Sequence, residues 1–298
     1  IAAIADFTFF IEKKSVLSIN SPFVLSAKAS KNVTPEEVGG IKALKNALLP
    51  TICVSDISEI RENIAIISNL IAQPFIEAEL NASVPALDEN PSVENLLSIF
   101  EGAIEIGASC ESDVKTILAR IGGIAVAAVV FDGGEEGVEL TAKKLAKIKN
   151  FAEIATCYGL PFVTFTDVKG IAPTMQVNDS NVMKEVAEYL NVLDTIDTAK
   201  IAVVYKKAVG IGYSLFASKS IGFDYTCAFA TASIALFDSV QGAQIELGNE
   251  KADKETLAKK YAEENSDPIN AAKDGYIDAI IQPQFVKQYL IASLQMLL

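Results

Sequence analysis

Apolar residues along this chain follow two alternating rhythms. Short continuous runs give way to longer stretches in which apolar positions recur every three or four residues, the pattern of buried strands interleaved with amphipathic helices. Between Ile1 and Ile19 the run FTFFIE, aromatic and β-branched, predicts a strand. A turn at Asn20 to Pro22 leads into Phe23 to Lys28. In NVTPEEVGG, Thr34 caps a short helix, Pro35 occupies its first turn, Glu36 and Glu37 lie near the positive end of its dipole, and Gly39 and Gly40 stop it. ICVSDISEIRENIAIISNLI predicts a longer amphipathic helix capped by Ser55 or Asp56, with Ile60, Ile64, Ile67 and Leu70 on one face. From Gln73 to Pro91 the rhythm fades among Pro74, Pro85 and Pro91, which reads as an interdomain linker.

The second part is more regular. Val93 to Glu101 reads as a helix and Ala103 to Ile106 as extended; Val114 to Ile121 reads as a strand with alternating burial, turned by Gly122 and Gly123 into GIAVAAVVF, so a hairpin is expected. The polar loop DGGEEG precedes a helix carrying Leu145, Ile148, Ala152 and Ala155 on one face and ending at Gly159. Then follow a continuous apolar strand, Pro161 to Val168, a helix from Asn181 to Leu193, and a strand from Ile201 to Tyr205. That strand drives into a turn at Gly210, Ile211 and Gly212, after which Tyr213 to Ala217 has helical spacing. The alternation defines an α/β fold with largely buried strands; periodicity alone equally allows a doubly wound sheet.

Charge and residue usage narrow the chemistry. A net charge of -13 with scattered Lys and Arg argues against a nucleic-acid partner. The chain has no histidine, which excludes Ser-His-Asp and Cys-His machinery and histidine metal ligands. Cys53, Cys110, Cys157 and Cys227 form no close pairs, so no metal or redox motif is expected and a reduced cytoplasmic setting fits. The apolar run near Ile121 to Phe131 is too short to span a bilayer. Catalysis would then rest on backbone dipoles, carboxylates, Lys or Tyr.

The Gly210 turn is the place for it. Unpaired N–H groups and the positive end of a helix dipole converge where a strand feeds a helix, and glycine lets an anionic oxygen approach them. Glycines there also serve backbone geometry and close packing. Other candidates carry two readings as well: Asp167 positions a substrate group or caps a loop, Lys206 and Lys207 meet phosphates or solvent, Lys219 serves a site or a helix end, and Tyr213 assists the site or packs in the core. KADKETLAKKYAEENSDP reads as a solvated helix.

Taken in order, FVTFTDVKG, KKAVGIGY, ASKSIGFD, AFATASIAL and AAKDGYIDAIIQP resemble the carboxyltransferase subunits of biotin-dependent acyl-CoA carboxylases, two-domain members of the crotonase superfamily. Earlier, IADFTFFIE is similar to the family strand that follows an N-domain helix, VTPEEVGG to its E-E-L-G-G segment, and SVENLLSIFEGAIEIG to its D-V-I stretch. The resemblance implies a crotonase-like ββα superhelix: residues 1–91 the later part of the N-terminal domain with a linker, residues 92–298 a complete C-terminal domain. It implies carboxyl transfer between carboxybiotin and the α-carbon of a short acyl-CoA, with one oxyanion hole in each domain. Aligning the family's R-K-A-Y-G-G-A-Y on KKAVGIGY places the C-domain donors at the backbone N–H groups of Ile211 and Gly212, with Gly210 before them. Gly210, Tyr213, Asp167 and Gly170 then border biotin and substrate; no metal is implied.

The implied partners are acyl-CoA, a biotinylated carrier protein, a biotin carboxylase or decarboxylase subunit, and further copies of the chain. Three departures stand out. Ile211 replaces a family glycine and is expected to set a branched side chain where biotin approaches; the family's D-V-P-G-F-x-P-G becomes Asp167 to Thr174, losing a proline, an aromatic and a glycine; and the family histidine after E-L-G-G has no counterpart at Ala43 to Asn46. The family's N-domain hole falls in a Gly-Gly segment ahead of Ile1. These departures motivate a second reading, a non-catalytic structural subunit.

Overall fold

A computed structural model of the chain describes residues 4–77, 87–175, 181–247 and 254–298. The first part builds a two-stranded parallel sheet from β1 (Thr8–Ile11) and β2 (Thr51–Val54), in register from Thr8 opposite Thr51. Between them lie α1 (Pro22–Ala29) and α2 (Pro35–Gly39). Thr34 and Glu37 close a reciprocal capping box on α2, and Gly39 is required because an added Cβ would fall 2.4 Å from the Leu17 carbonyl oxygen. Helix α3 (Ile57–Ala72) starts at Asp56, whose carboxylate accepts from the Ser58 and Glu59 N–H groups, and it buries Ile67 and Leu70.

The remainder forms a nine-stranded sheet. Along the chain come α4 (Val93–Leu97), β3 (Glu101–Glu105), β4 (Val114–Ile121), β5 (Ile124–Phe131), β6 (Val138–Leu140), α5 (Ala142–Tyr158), β7 (Phe162–Ile171), α6 (Val182–Asp194), β8 (Lys200–Val209) and α7 (Ile211–Phe216). They are followed by β9 (Tyr225–Phe229), β10 (Ser233–Ala235), α8 (Ser239–Leu247), α9 (Lys254–Asn265), α10 (Pro268–Lys273), β11 (Ala279–Ile281) and α11 (Val286–Leu297). The strand order is β11-β9-β8-β7-β5-β4-β3, with β6 added to β7 and β10 to β8. Strands β5, β7, β8, β9 and β11 run parallel, while β4 and β5 form the expected antiparallel hairpin around Gly122 and Gly123, to which β3 adds an antiparallel neighbour.

The central strands of this sheet feed both of its faces. Ala202 and Val204 of β8 face a core with Leu145, Ile148, Tyr189 and Phe216, whereas Ile201, Val203 and Tyr205 face one with Leu96, Leu290 and Leu294. Helices on both sides explain why the central strands read as unbroken apolar runs. They also correct the expectation for β4: apart from Lys115 it is buried throughout rather than alternately, because its second face is covered too. Two boundaries shift as well. Helix α4 stops at Leu97, and Ile99 and Phe100 turn into the core before β3. Strand β8 continues four residues past Tyr205 to Val209, because β10 pairs with its outer end.

The expected linker is fastened where it is described. Pro74 and Ile76 bond the backbone of the β4–β5 hairpin, at 2.8 Å to Ala125 N and 3.1 Å to Gly123 O. Arg120, buried on β4, donates to the carbonyls of Asn69, Gln73 and Gly123 at 3.1, 2.6 and 2.9 Å. Residues 78–86 of that stretch lie outside the described residues. The acidic segment after position 250 forms α9 over Lys254–Asn265; it is largely exposed, but Tyr261 packs on Gly242 of α8 so closely that a Cβ there would lie 2.2 Å away.

Candidate active site at the end of the central strand

Strand β8 lies between β7 and β9, so its C-terminal end is where the parallel sheet presents its central edge, the usual place for a ligand in open α/β sheets. Gly210 turns the chain there with φ 54° and ψ -120°, a conformation only glycine adopts readily. Its N–H donates to Ala235 O of β10 at 2.8 Å, and a Cβ would lie 3.0 Å from Leu236 O. Helix α7 starts at once, with Ser214 N bonding back to Gly210 O at 3.2 Å.

The two ends of α7 are treated differently. At its C-terminal end the Tyr189 hydroxyl donates to Leu215 O at 3.3 Å, Thr164 to Phe216 O at 2.6 Å, and Thr226 to Ala217 O at 2.7 Å, all three from wholly buried side chains. At its N-terminal end Gly210 supplies no side-chain cap, and among the described residues no protein acceptor takes the N–H of Ile211 or Gly212. Buried polar groups are ordinarily paired, so this end has donors to offer. Gly212 is buried directly on β7: a Cβ would fall 2.6 Å from Val168 Cγ1 and 3.1 Å from Val168 O. Ile211 is half-buried, and its branched side chain packs in part against the core. The Tyr213 hydroxyl donates to Tyr276 O at 2.8 Å, the two rings meet edge to face, and burial raises the phenol pKa. Its bond thus goes to the α10–β11 connection.

Asp167 and Gly170 come from the outer end of β7. Gly170 has φ 102° and sits between Glu139 of β6 and the β8 end, its added Cβ falling 3.5 Å from Val209 O. Asp167 is wholly buried. Its Oδ2 accepts from Gly133 N at 3.1 Å and lies 4.0 Å from Lys206 Nζ; Oδ1 has no partner among the described residues. Burial pushes the carboxyl above the usual aspartate range, against the opposing pull of Lys206 and the Gly133 N–H. Lys206 donates to Gly134 O at 3.0 Å, and Lys207 to Glu135 O and Glu136 O at 2.9 and 3.1 Å. These lysines therefore staple the DGGEEG loop. Lys219 is likewise tied, to Asp278, whose other oxygen accepts from Thr226 N at 2.9 Å.

All six residues predicted for the site thus gather at one edge of the sheet, Gly210 to Tyr213 on one side of the β7 end and Asp167 and Gly170 on it. The sequence predicts DGGEEG as a polar loop but not its place beside these residues; the signal for it is the density of glycine in that segment. A separate polar cleft of about 580 Å³, lined by residues including Cys53, Ser109, Asp113 and Lys144, lies where β2 meets the turn before β4. Among the described residues no group of side chains is arranged to hold a metal ion, and no helix is long and apolar enough to cross a membrane.

The mixed sheet, covered on both faces, is a crotonase-like α/β fold by its match to a solved structure. The chain has the fold of transcarboxylase 12S, solved as a hexamer with methylmalonyl-CoA and methylmalonic acid bound: the TM-score is 0.84 at 22% identity, over 99% of this chain and 61% of that one. Residues 105–298 match the carboxyl transferase domain, and the chain belongs to that family. It is 27% identical to the mitochondrial propionyl-CoA carboxylase beta chain of Mus musculus over 320 residues, 99% of this chain and 58% of the relative. With the methylmalonyl-CoA decarboxylase subunit alpha of Veillonella parvula it shares 23% identity, over 99% of this chain and 62% of the relative. The chain thus spans about three fifths of the length of these relatives.

Proposed function

We propose that the chain acts in acyl-CoA carboxyl transfer and that the β8–α7 junction is its biotin-side oxyanion hole. The observation that carries this reading is the asymmetry of α7, whose last carbonyls are bonded by buried hydroxyls while the N–H groups of Ile211 and Gly212 have no protein acceptor among the described residues. The junction lies inside the region matching the carboxyl transferase domain.

The residues present fit biotin: a glycine with no side chain at one donor, and a half-buried Ile211 side chain packed on the core at the other. Biotin on a carrier protein supplies the transferable carboxyl group. Ile211 and Gly212 would donate N–H bonds to its urea oxygen, where negative charge gathers as the carboxyl leaves. Gly210 aims both donors by its left-handed φ, and Gly170 keeps the β7 end open beside them. Asp167 is too deeply buried to touch a substrate.

The acyl-CoA is a short one in this reading, and the direction spans carboxylation and decarboxylation, as relatives named for both match. Partners would be the biotinylated carrier, a biotin carboxylase or decarboxylase subunit, and further copies of the chain, in the cytoplasm. The residue 1–91 and 92–298 division remains our proposal for the domains, the first being the later part of an N-terminal carboxyltransferase domain. The structural-subunit reading is favoured by the altered segment Asp167 to Thr174.

The test is Ile211→Pro, which deletes one donor at the first helical position, where proline is tolerated. Transfer of the carboxyl group from methylmalonyl-CoA to free biotin should fall about 10² to 10³-fold. An unchanged rate, with the variant folded by circular dichroism, refutes the hole; no transfer by the parent chain favours the structural subunit.

A further inference from the structure

Asp167 is the one wholly buried carboxylate in the described core, and nothing in the reaction uses it directly. It occupies a break in the sheet. Thr166 pairs with Val204, but Val168 pairs with Ala208, so Tyr205, Lys206 and Lys207 bulge opposite Asp167 alone. The bulge aims the Tyr205 hydroxyl at Phe131 O and the two lysines at the loop carbonyls. On its other side Asp167 holds the loop by its first glycine, through Gly133 N, and Gly137 N closes the loop on Gly133 O at 2.9 Å. Gly137 has φ 83°, and a Cβ there would fall 3.3 Å from Asp167 Oδ1. The next residue, Val168, is the surface on which Gly212 rests.

We infer that Asp167 is a positioning residue, holding the glycine loop 133–137 and the β8 bulge in one arrangement and thereby fixing Val168 beneath the Gly212 donor. A buried acid with one oxygen unpartnered is a costly way to fill space that an apolar side chain would fill better. Such local exceptions persist beside sites whose geometry they fix. The consequence is that loop, bulge and junction move together. This rests on the proposed role of the junction only for its effect on catalysis; the coupling itself is independent of it.

Amide hydrogen exchange on the full chain tests the coupling, with Asp167→Leu, Asp167→Asn and Lys206→Met. Asp167→Leu should speed exchange about tenfold both at Gly133 and Gly137 and at the bonded N–H groups of Gly210 and Ser214. Asp167→Asn keeps an oxygen for Gly133 N and should restore most of the protection. Lys206→Met cuts one staple and removes the cation 4.0 Å from Asp167 but keeps the Gly133 bond, and should loosen the loop alone. Where the parent chain transfers carboxyl groups, Asp167→Leu should lower kcat about tenfold with KM for the acyl-CoA nearly unchanged. An Asp167→Leu chain that loosens the loop but leaves Gly210, Ser214 and kcat at parental values overturns the inference, as does Asp167→Asn behaving like Asp167→Leu. If Asp167→Leu fails to fold, Asp167→Asn against Lys206→Met decides. An inactive parent chain bears on the proposed function, and hydrogen exchange alone then decides whether loop and junction are coupled.

Discussion

Lys147 shows how burial sets the chemistry of a charged side chain in this fold. It lies on the inner face of α5, 6% exposed, and its Nζ donates to the carbonyls of Cys110, Glu111 and Val114 at 2.8, 3.3 and 2.5 Å. The groups acting on it are Glu105 on β3, Cys110 and Asp113 before β4, and Lys115 on β4. Among the described residues it makes no ion pair. Desolvation therefore dominates, and its pKa is lowered from the lysine value of 10.5 to about 8. The folded chain gives up this proton near pH 8, whereas the unfolded chain keeps it until about pH 10.5. Between those values the unfolded state binds more protons, so stability rises with pH. At about 1.4 kcal/mol per pH unit the full gain is about 3 kcal/mol. Lys147→Met abolishes the titration. Urea unfolding of both proteins from about pH 7 to about pH 10.5 isolates it, because all other titrations are shared. The parent should gain on the variant by about 3 kcal/mol across the window and by nothing below it. Parallel curves would refute the dominance of burial and mean that three carbonyls suffice to hold the ammonium charged.

Gly212→Ala should destabilise the chain by about 1 to 3 kcal/mol, since its Cβ would press on Val168 at 2.6 Å; thermal melts of the single and of the double variant with Val168→Ala should show recovery, and additive losses would deny the contact. Arg120→Ala removes the guanidinium bonds to the carbonyls of Asn69, Gln73 and Gly123, of which Asn69 O and Gly123 O keep a backbone donor, and should cost about 3 kcal/mol, with faster amide exchange confined first to 69–76; uniform loss would mean the clasp is not local.

What the sequence disclosed follows from where burial is one-dimensional. The hairpin around Gly122 and Gly123, the parallel strands and the capped helices announce themselves through runs, periods and caps carried by neighbours in sequence. Strand β6 has three residues and no period to read, and the outer end of β8 carries Lys206 and Lys207, which look like a solvated strand end. Both exist because of partners distant in sequence, β7 for the one and the glycine loop and β10 for the other.

The same distinction governs the site. Gly210 is legible because a strand-to-helix turn demands a residue with positive φ, a requirement local to the turn. Ile211 shows what residue type leaves out: read as a replacement for glycine it sets a branched side chain at the turn, and the fold packs that side chain in part against the core while no protein acceptor among the described residues takes its N–H. An acid at a strand end reads as a substrate contact or as a loop cap, and Asp167 is buried where a loop from much earlier in the chain folds over it. Buried there, with Oδ2 on the Gly133 N–H, it supports the loop. In this fold the backbone supplies the donors, and the side chains singled out by their charge, Asp167, Lys206 and Lys207, hold the backbone in place.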